Sequence, residues 1–364
     1  MSINCGIVGL PNVGKSTLFN AMTAAHVPAE KYPFCTKDHN TGMVAIPDDR
    51  LNKIASIFKP ERVVPTQVEF VDIAGLVEGA HKGEGLGNRF LSHIREMHAV
   101  AHVVRCFDAE DVPHSYDRID PVHDIEVVNT ELALADLEIV TKRHEKASHL
   151  AKTGDKAARA ELPLLENLKA AIESGLPARK APLSEKEREE LDTTGLITTK
   201  PVLYVLNVNE SDVKGPSERV KAALAHAAEE GSPAIEICGS IEDELADLSD
   251  EEKRAFLDDL GLAEPGLPRL IHAAYKLLDL ITFFTKDGPE VRAWTVRRGT
   301  KAPAAAGKIH TDFERGFVRA EVYSSDDLFK TGSEHKVKDE GHLRIEGHDY
   351  VIKDGDVVHF RFNV

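Results

Sequence analysis

The sequence predicts an α/β protein with a doubly wound, mainly parallel β-sheet, an inserted pair of helices and a small β-rich C-terminal domain. Three observations carry this prediction. Short apolar runs alternate with segments of helical character over much of the chain, which is typical of parallel sheets covered by helices. A long stretch rich in Ala, Leu, Glu and Lys interrupts these runs. Beyond Phe283, short alternating runs and frequent glycines replace both patterns.

The predicted sheet begins with an apolar run at 3–8, which ends at Gly9 and is followed by helical character at 16–25. Further buried strands are predicted at 42–46, 67–71, 101–107 and 202–206. Because helical segments separate these runs, we expect the strands to lie mainly parallel in one sheet.

The stretch between the last two of these runs, roughly 129–200, predicts two long antiparallel helices at 130–150 and 157–172. Thr153-Gly154 lies between them. The alternative interpretation is a single extended crossover connection between the two strands.

A helix at 268–280 is predicted to lead out of the sheet domain. Strands are expected beyond it at 291–296, 318–322 and 357–362, where apolar residues alternate or run together between glycines. The sequence therefore predicts a small β-rich domain at this end of the chain.

Composition narrows the class of protein. A chain of 364 residues is long enough for two or three domains, and no apolar run approaches the ~20 residues that span a bilayer. The N-terminal residues carry no pattern of an export signal. The four cysteines form no CxxC pair, so neither disulfides nor zinc are expected. We expect a cytoplasmic protein without a membrane partner.

Charge is unevenly distributed. The net charge of −16 argues against non-specific nucleic-acid affinity, and no DNA partner is expected. From Ile281 onward, however, 14 Lys and Arg residues balance 14 Asp and Glu residues. A local basic excess lies at Arg292, Arg297, Arg298, Lys301, Lys308, Arg315 and Arg319, against Asp312 and Glu314.

The segment 9–16, GLPNVGKS, matches the phosphate-binding pattern GxxxxGK[ST] and lies between a predicted strand and a predicted helix. In this pattern backbone N–H groups surround phosphate oxygens, Lys15 adds charge at the β and γ positions, and the Ser16 hydroxyl binds Mg²⁺. The sequence therefore predicts a nucleoside triphosphate site.

Two further residues fit the magnesium and γ-phosphate positions of such a site. Asp72 ends a predicted strand and opens the DxxG pattern that Gly75 completes, so its carboxylate would reach the outer shell of Mg²⁺ while the Gly75 N–H meets the γ-phosphate. Thr36, in the segment YPFCT, would complete the magnesium shell. The glycine-rich segment after Gly75 suits a loop that γ-phosphate orders and hydrolysis releases.

Three residues near the predicted site bear on the rate of hydrolysis. Leu76 stands where many GTPases have a water-positioning Gln, so slow turnover is expected. His114 is a candidate for positioning water, although loop histidines are commonly just solvated. Asn12 is a candidate K⁺ ligand, or alternatively an asparagine that only shapes the loop.

The base motif departs from that of GTPases. After the predicted strand at 202–206 come Asn207, Val208, Asn209 and Glu210, where GTPases have NKxD, whose Asp takes a guanine-specific pair of hydrogen bonds. Val208 offers an apolar surface, and the longer Glu210 side chain displaces the carboxylate. Asn207 could still contact adenine N6 or N7. Without the guanine-specific pair, the site is expected to prefer ATP; GTP bound with its base held differently is the alternative.

The combination of GLPNVGKST, YPFCT, DIAGL and NVNE resembles the YchF family of Obg-related P-loop proteins, also called Obg-like ATPases. The resemblance covers essentially the whole chain. It implies an OBG-type G domain at 1–128 and 201–280, a helical coiled-coil insertion at 129–200 and a β-grasp-like TGS domain at 281–364. Asn209 departs from the small residue usual at its position, which leaves purine selectivity open.

Carried over by motif, the resemblance implies that Asn12, Val13, Gly14, Lys15, Ser16 and Thr17 surround the phosphates, that Ser16 and Thr36 hold Mg²⁺, and that Val208 contacts the base. It also implies slow, potassium-aided ATP hydrolysis and ribosome binding, with roles in translation or stress responses. We expect an rRNA contact on the large ribosomal subunit, through the TGS domain or the helical insertion. The alternatives are a GTPase in ribosome assembly and a nucleotide-stabilised adaptor with little turnover.

Overall fold

The computed structural model describes residues 3–24, 41–73, 75, 79, 86–109, 112–113, 118–191, 194–246 and 248–363. Strands and helices alternate through the first part of the described chain. The strands are β1 (Asn4–Val8), β2 (Thr41–Ala45), β3 (Arg62–Val64), β4 (Gln67–Asp72), β5 (Ala99–Arg105), β6 (Val202–Asn207), β7 (Ala234–Ile237), β8 (Leu280–Asp287), β9 (Glu290–Arg297), β10 (Phe317–Ser324), β11 (Arg344–Glu346) and β12 (Asp356–Phe362). The helices are α1 (Lys15–Ala24), α2 (Asp49–Phe58), α3 (Leu86–Glu96), α4 (Pro121–Lys152), α5 (Lys156–Glu173), α6 (Glu185–Leu191), α7 (Glu210–Val213), α8 (Glu218–Glu230), α9 (Gly239–Ala246), α10 (Asp250–Leu260), α11 (Gly266–Leu277), α12 (Ala302–Ile309), α13 (Thr311–Arg315), α14 (Ser325–Thr331) and α15 (Glu334–Asp339).

The first sheet has the strand order β2-β4-β1-β5-β6-β7. Its strands β4, β1, β5, β6 and β7 pair in parallel. Strand β5 and strand β6 are buried along their whole length, as expected for central strands with helices on both faces. The prediction of an α/β fold with a doubly wound parallel sheet is confirmed, and each predicted strand of the sheet is present within a few residues.

The predicted helical pair is present as α4 and α5, but α4 begins at Pro121, earlier than predicted. The side chain of Asp120 caps the helix by accepting a hydrogen bond from the His123 N–H at 3.2 Å. The first part of α4 contacts β5 and α8, and its second part packs against α5. One helix thus serves both as the crossover connection between β5 and β6 and as the first arm of the inserted pair.

The second sheet has the strand order β11-β10-β12-β8-β9-β3. Strand β10 pairs antiparallel with β11 and β12, and β8 pairs antiparallel with β9, while β12 runs parallel to β8. The predicted strands at 291–296, 318–322 and 357–362 are confirmed as β9, β10 and β12. The predicted helix at 268–280 ends at Leu277, and β8 starts at Leu280; the helices α12 to α15 were not predicted.

The chain divides into two compact units. The first unit is Met1–Gly42 with Glu69–Ala274, and the second is Met43–Val68 with Tyr275–Val364. The sequence analysis did not foresee that α2 and β3 belong with the C-terminal strands: β3 pairs with β9, and Leu51 of α2 lies in a core cluster with Phe284. Among the described residues, no helix is long and apolar enough to cross a membrane.

Candidate nucleotide-binding site

The predicted phosphate loop connects the end of β1 at Val8 to the start of α1 at Lys15. Its backbone is left-handed at Asn12, with φ 61°, and at Gly14, with φ 95°. Gly14 also has no room for a side chain, because a Cβ there would lie 2.2 Å from Asn207 Nδ2. The loop therefore curls as the phosphate-binding pattern requires.

Lys15 is 7% exposed and lies against its own loop. Its Nζ donates hydrogen bonds to the carbonyl oxygens of Leu10 at 2.7 Å and Gly9 at 3.1 Å. Burial lowers the Lys15 pKa to about 8, partly offset by the nearby charge of Asp72. A Cβ on Gly75 would lie 3.3 Å from Lys15 Nζ, so the structure brings the DxxG segment next to the loop lysine.

The two predicted magnesium ligands within the described chain lie together. The Ser16 Oγ donates a hydrogen bond to Asp72 Oδ2 at 3.0 Å. The other carboxylate oxygen, Asp72 Oδ1, is buried and has no hydrogen-bond partner among the described residues. A hydroxyl beside a carboxylate with an unused buried oxygen fits the oxygen ligands that Mg²⁺ and its bound waters prefer.

Asn207, the last residue of β6, joins two segments of the site. Its Nδ2 donates a hydrogen bond to the Val13 carbonyl at 3.0 Å, and its Oδ1 accepts one from the Gly239 N–H at 3.0 Å. The side chain thus holds the phosphate loop to the start of α9. A contact between Asn207 and the base stays a prediction, and it would have to use the second N–H of Nδ2.

The remaining residues of the base motif differ in exposure. Val208 is 3% exposed and lines a cavity of ≈ 60 Å³ together with Cys238 and Glu236. Glu210 is exposed at the first residue of α7. Asn209 Oδ1 accepts a hydrogen bond from the Asp108 N–H at 3.2 Å, which ties the base motif to the loop after β5. The base contacts of Val208 and Glu210 stay predictions.

Asn12 is exposed, and its Nδ2 donates a hydrogen bond to the Pro113 carbonyl at 3.1 Å. This bond gives the amide a fixed orientation and leaves its Oδ1 as an acceptor. Val13 is buried and Thr17 is exposed on the first turn of α1. Thr36, Cys35, Leu76 and His114 lie outside the described residues.

The sequence analysis missed three residues that organise this site. The Gly239 N–H donates a hydrogen bond to Asn207. The sequence signal that could have found Gly239 is a short apolar strand followed by Cys-Gly-Ser before a helix. Arg105, at the end of β5, bonds the carbonyls of the loop that carries Pro113. Glu131 of α4 accepts a hydrogen bond from the Gly79 N–H at 2.8 Å, within the glycine-rich segment after Gly75.

A strand, a left-handed glycine loop with a buried lysine, and a serine bonded to the aspartate of a DxxG pattern define a P-loop nucleoside triphosphatase with the GTPase fold. Two family models match the chain: the 50S ribosome-binding GTPase model over residues 4–143 and the YchF-GTPase C-terminal model, described as a protein of unknown function, over residues 280–363. Together with the relatives below, these matches show that the chain belongs to the YchF family.

The similarity to curated relatives extends over full length. The chain is 51% identical to the ribosome-binding ATPase YchF of Bacillus subtilis (strain 168) and 50% identical to that of Escherichia coli O157:H7, with 100% of each chain covered. Among solved structures, that of the Schizosaccharomyces pombe YchF GTPase matches with a TM-score of 0.90 and 37% identity, covering 99% of this chain and 98% of the other.

Proposed function

We propose that this protein is a ribosome-binding ATPase that hydrolyses ATP slowly, with GTP a poorer substrate, and uses the change at the γ-phosphate as a conformational switch in translation or the stress response. The full-length relatives named ribosome-binding ATPases support the activity and the ribosome as partner. Action on ribosomes would place the protein in the cytoplasm.

The observation that carries the choice of ATP is the base motif. The guanine-specific pair of hydrogen bonds needs an aspartate, and this chain has the exposed Glu210 in that place and the buried Val208 in place of the lysine. A site that makes no guanine-specific pair has no large reason to reject adenine. The similar fission-yeast structure is named a GTPase, so the purine preference of this chain is the first property to measure.

The metal requirement of the proposed reaction follows from the side chains around the loop. Ser16 and Thr36 would bind Mg²⁺ directly and Asp72 would bind one of its waters; the metal would neutralise charge on the β- and γ-phosphates. We also propose that Asn12 Oδ1 binds K⁺ beside the phosphates. That cation would supply the positive charge that an arginine finger supplies elsewhere.

We propose that the rRNA contact lies on residues 281–364 of the second unit, which we propose form a TGS domain. Of its seven basic residues noted above, Arg297, Lys308 and Arg315 are exposed and form no ion pair with any described residue. Next to Arg315, the rings of Phe313 and Phe362 stack with centroids 3.7 Å apart, and Phe362 is 40% exposed. Basic side chains near an exposed aromatic ring suit phosphate contact and base stacking on single-stranded RNA.

Calorimetric titration with ATP and GTP in Mg²⁺ buffer tests the nucleotide choice. We expect tighter binding of ATP; a tenfold preference for GTP would instead support the GTPase alternative. Phosphate release is then compared for the wild type and Lys15→Ala, with and without ribosomes and K⁺. Indistinguishable rates for the two proteins would support the adaptor alternative, because Lys15 is the charge that the phosphates contact.

Co-sedimentation with large ribosomal subunits tests the contact surface. Arg315→Glu should weaken binding and reduce its salt dependence, since each phosphate contact contributes to the salt slope. Lys336→Glu is the matched control, because Lys336 is also exposed but lies on α15, whose Val337 belongs to the core cluster of Leu51 and Phe284. Equal weakening by the two variants would show only a general charge effect and would remove this surface from the proposal.

A further inference from the structure

Arg105 is a buried charge outside the predicted site residues. It is the last residue of β5 and is 1% exposed. No carboxylate lies within ion-pair distance of it in the part of the chain that the structure describes, although the more distant charges of Asp108 and Asp124 favour its charged form. Because burying a charge without a direct ion-pair partner is costly, the hydrogen bonds that Arg105 makes must offset that cost.

The guanidinium of Arg105 donates hydrogen bonds to the carbonyl groups of one short segment. Arg105 Nε donates to the Phe107 carbonyl at 3.2 Å, Nη2 to Ala109 at 3.3 Å, and Nη1 to Val112 at 3.0 Å. The guanidinium carbon lies 4.6 Å from the centroid of the Phe107 ring. The described residues 106–109 and 112–113, which we call the β5–α4 loop, are therefore folded around Arg105.

This loop contacts both halves of the nucleotide site. At one end, the Asp108 N–H donates to Asn209 Oδ1 of the base motif at 3.2 Å. At the other end, the Pro113 carbonyl accepts hydrogen bonds from Asn12 Nδ2 at 3.1 Å and from Arg105 Nη1 at 3.5 Å. One oxygen thus joins the buried arginine to the side chain that we propose as the K⁺ ligand.

We propose that Arg105 is a positioning residue of the hydrolysis reaction: it holds the β5–α4 loop so that Pro113 fixes the Asn12 amide with its Oδ1 turned toward the bound triphosphate. This inference rests on the proposed ATPase function and deepens it. Arg105 does not touch substrate. It acts through the loop, and Asn12 acts on the cation and the phosphates.

The same geometry predicts which kinetic constants the loss of Arg105 should change. The affinity for nucleotide depends mainly on Lys15 and the backbone of the phosphate loop, neither of which bonds Arg105. The rate depends on the orientation of the groups around the γ-phosphate, where a misplacement of about 1 Å can cost on the order of 100-fold. Loss of Arg105 should therefore lower kcat and the response to K⁺ while leaving KM and ADP affinity nearly unchanged.

The experiment uses the full-length chain and compares Arg105→Gln and Arg105→Lys with two control variants. Arg219→Gln removes an arginine that contacts the same loop from its exposed side, through Asp108 at 2.8 Å. Arg179→Gln removes a largely buried arginine from its ion pair with Glu230, elsewhere in the first unit. For each protein we would measure kcat and KM for ATP over a K⁺ series, ADP affinity by calorimetry, and the folded fraction by circular dichroism.

We expect Arg105→Gln to lower kcat by on the order of 10- to 100-fold and to flatten the K⁺ response. Arg105→Lys should recover part of the rate, because it keeps the charge but loses the fork of donors. Arg179→Gln should keep the wild-type kcat, and Arg219→Gln should lower it less than Arg105→Gln does, because Arg219 contacts the loop through the Asp108 side chain and not through the carbonyl groups of Val112 and Pro113. The inference is overturned if Arg105→Gln and Arg179→Gln have equal kcat per folded molecule, or if KM rises in step with the loss of rate. If the wild type prefers GTP or ignores K⁺, the proposed function fails separately, and the kcat ratio for the preferred nucleotide still decides the role of Arg105.

Discussion

Replacing Asn207 by Ala should loosen the phosphate loop without changing the choice of purine. The substitution removes the hydrogen bonds to the Val13 carbonyl and from the Gly239 N–H, both of which are buried. A buried polar group left without its partner costs about 1–3 kcal/mol. Two such groups should lower the free energy of unfolding of the first unit by about 2–6 kcal/mol.

Asn207→Ala should also weaken nucleotide binding, because part of the lost free energy comes from the contact with the phosphate loop at Val13. ATP or GTP must reorder a loop that has lost its contact at Val13, and the reordering costs about 1–3 kcal/mol. Since each 1.4 kcal/mol is tenfold in affinity, both nucleotides should bind on the order of 10- to 100-fold more weakly. The ratio of the two affinities should stay that of the wild type, because the two hydrogen bonds that are lost join the amide of Asn207 to the protein and not to the purine.

Calorimetric titrations with ATP and GTP give that ratio, and urea unfolding followed by circular dichroism gives the stability. Tryptophan fluorescence cannot replace circular dichroism here, because the single tryptophan, Trp294, lies in the second unit. Asn209→Ala is the control: it changes the same motif but removes the acceptor of the Asp108 N–H and no contact with the phosphate loop.

A loss of affinity for one purine alone would contradict the role of Asn207 as the residue that holds the phosphate loop. If Asn207→Ala weakened ATP tenfold more than GTP while the free energy of unfolding stayed that of the wild type, Asn207 would be reading the purine through its remaining N–H. The adenine contact predicted from the sequence would then be its main role.

Two further predictions concern Lys15 and the second unit. Burial lowers the Lys15 pKa to about 8, so between about pH 8 and its ordinary value of 10.5 the unfolded chain holds a proton that the folded, nucleotide-free protein has lost. The contribution of this group to the free energy of unfolding therefore rises with pH across that window. Because bound phosphates favour the charged lysine, ATP binding near pH 9 should take up as much as one proton, which calorimetry in buffers of different ionisation enthalpy measures. Proton uptake that persists in Lys15→Met would contradict the assignment to Lys15. Leu51→Ala should lower the free energy of unfolding of the second unit by about 2–5 kcal/mol, because Leu51 is 4% exposed and packs with Phe284. Trp294 fluorescence reports this unfolding, and a loss of ATP affinity without it would contradict the division into units.

The phosphate loop could be predicted from the sequence because its chemistry is contiguous. Eight residues between a strand and a helix specify both the backbone curl and the lysine, and the structure places Lys15, Ser16, Asp72 and Gly75 together. The role of Asn207 could not be predicted in the same way. An asparagine at the end of a strand suits a base contact and a contact with the backbone equally well, and the contacts with Val13 and Gly239 become visible only in three dimensions.

The assignment of β3 to the second unit could not be predicted from the sequence for a different reason. Strand β3 has only three residues, and Arg62 and Val63 are exposed, so no alternating pattern marks it. Its register, with Arg62 opposite Glu290 and Val64 opposite Arg292, is set by a strand from the other end of the chain. Pairing between such distant segments leaves no local signal, because edge strands are specified by their partner rather than by their own periodicity.

The sequence analysis placed the start of α4 at residue 130 rather than at Pro121, and the physical cause of that difference also bears on the proposed switch. Along this 32-residue helix, Ile125, Val128 and Leu132 are buried in the part that contacts β5, whereas Val140 and Ala147 are buried against α5. The buried face therefore changes partner along one continuous helix about 48 Å long, and a single periodic pattern does not cover both parts. Glu131 lies near this change and accepts the hydrogen bond from Gly79. In the proposed switch, a rearrangement of the glycine-rich segment on loss of the γ-phosphate would act on α4 through this hydrogen bond, between the part that contacts β5 and the part that packs against α5.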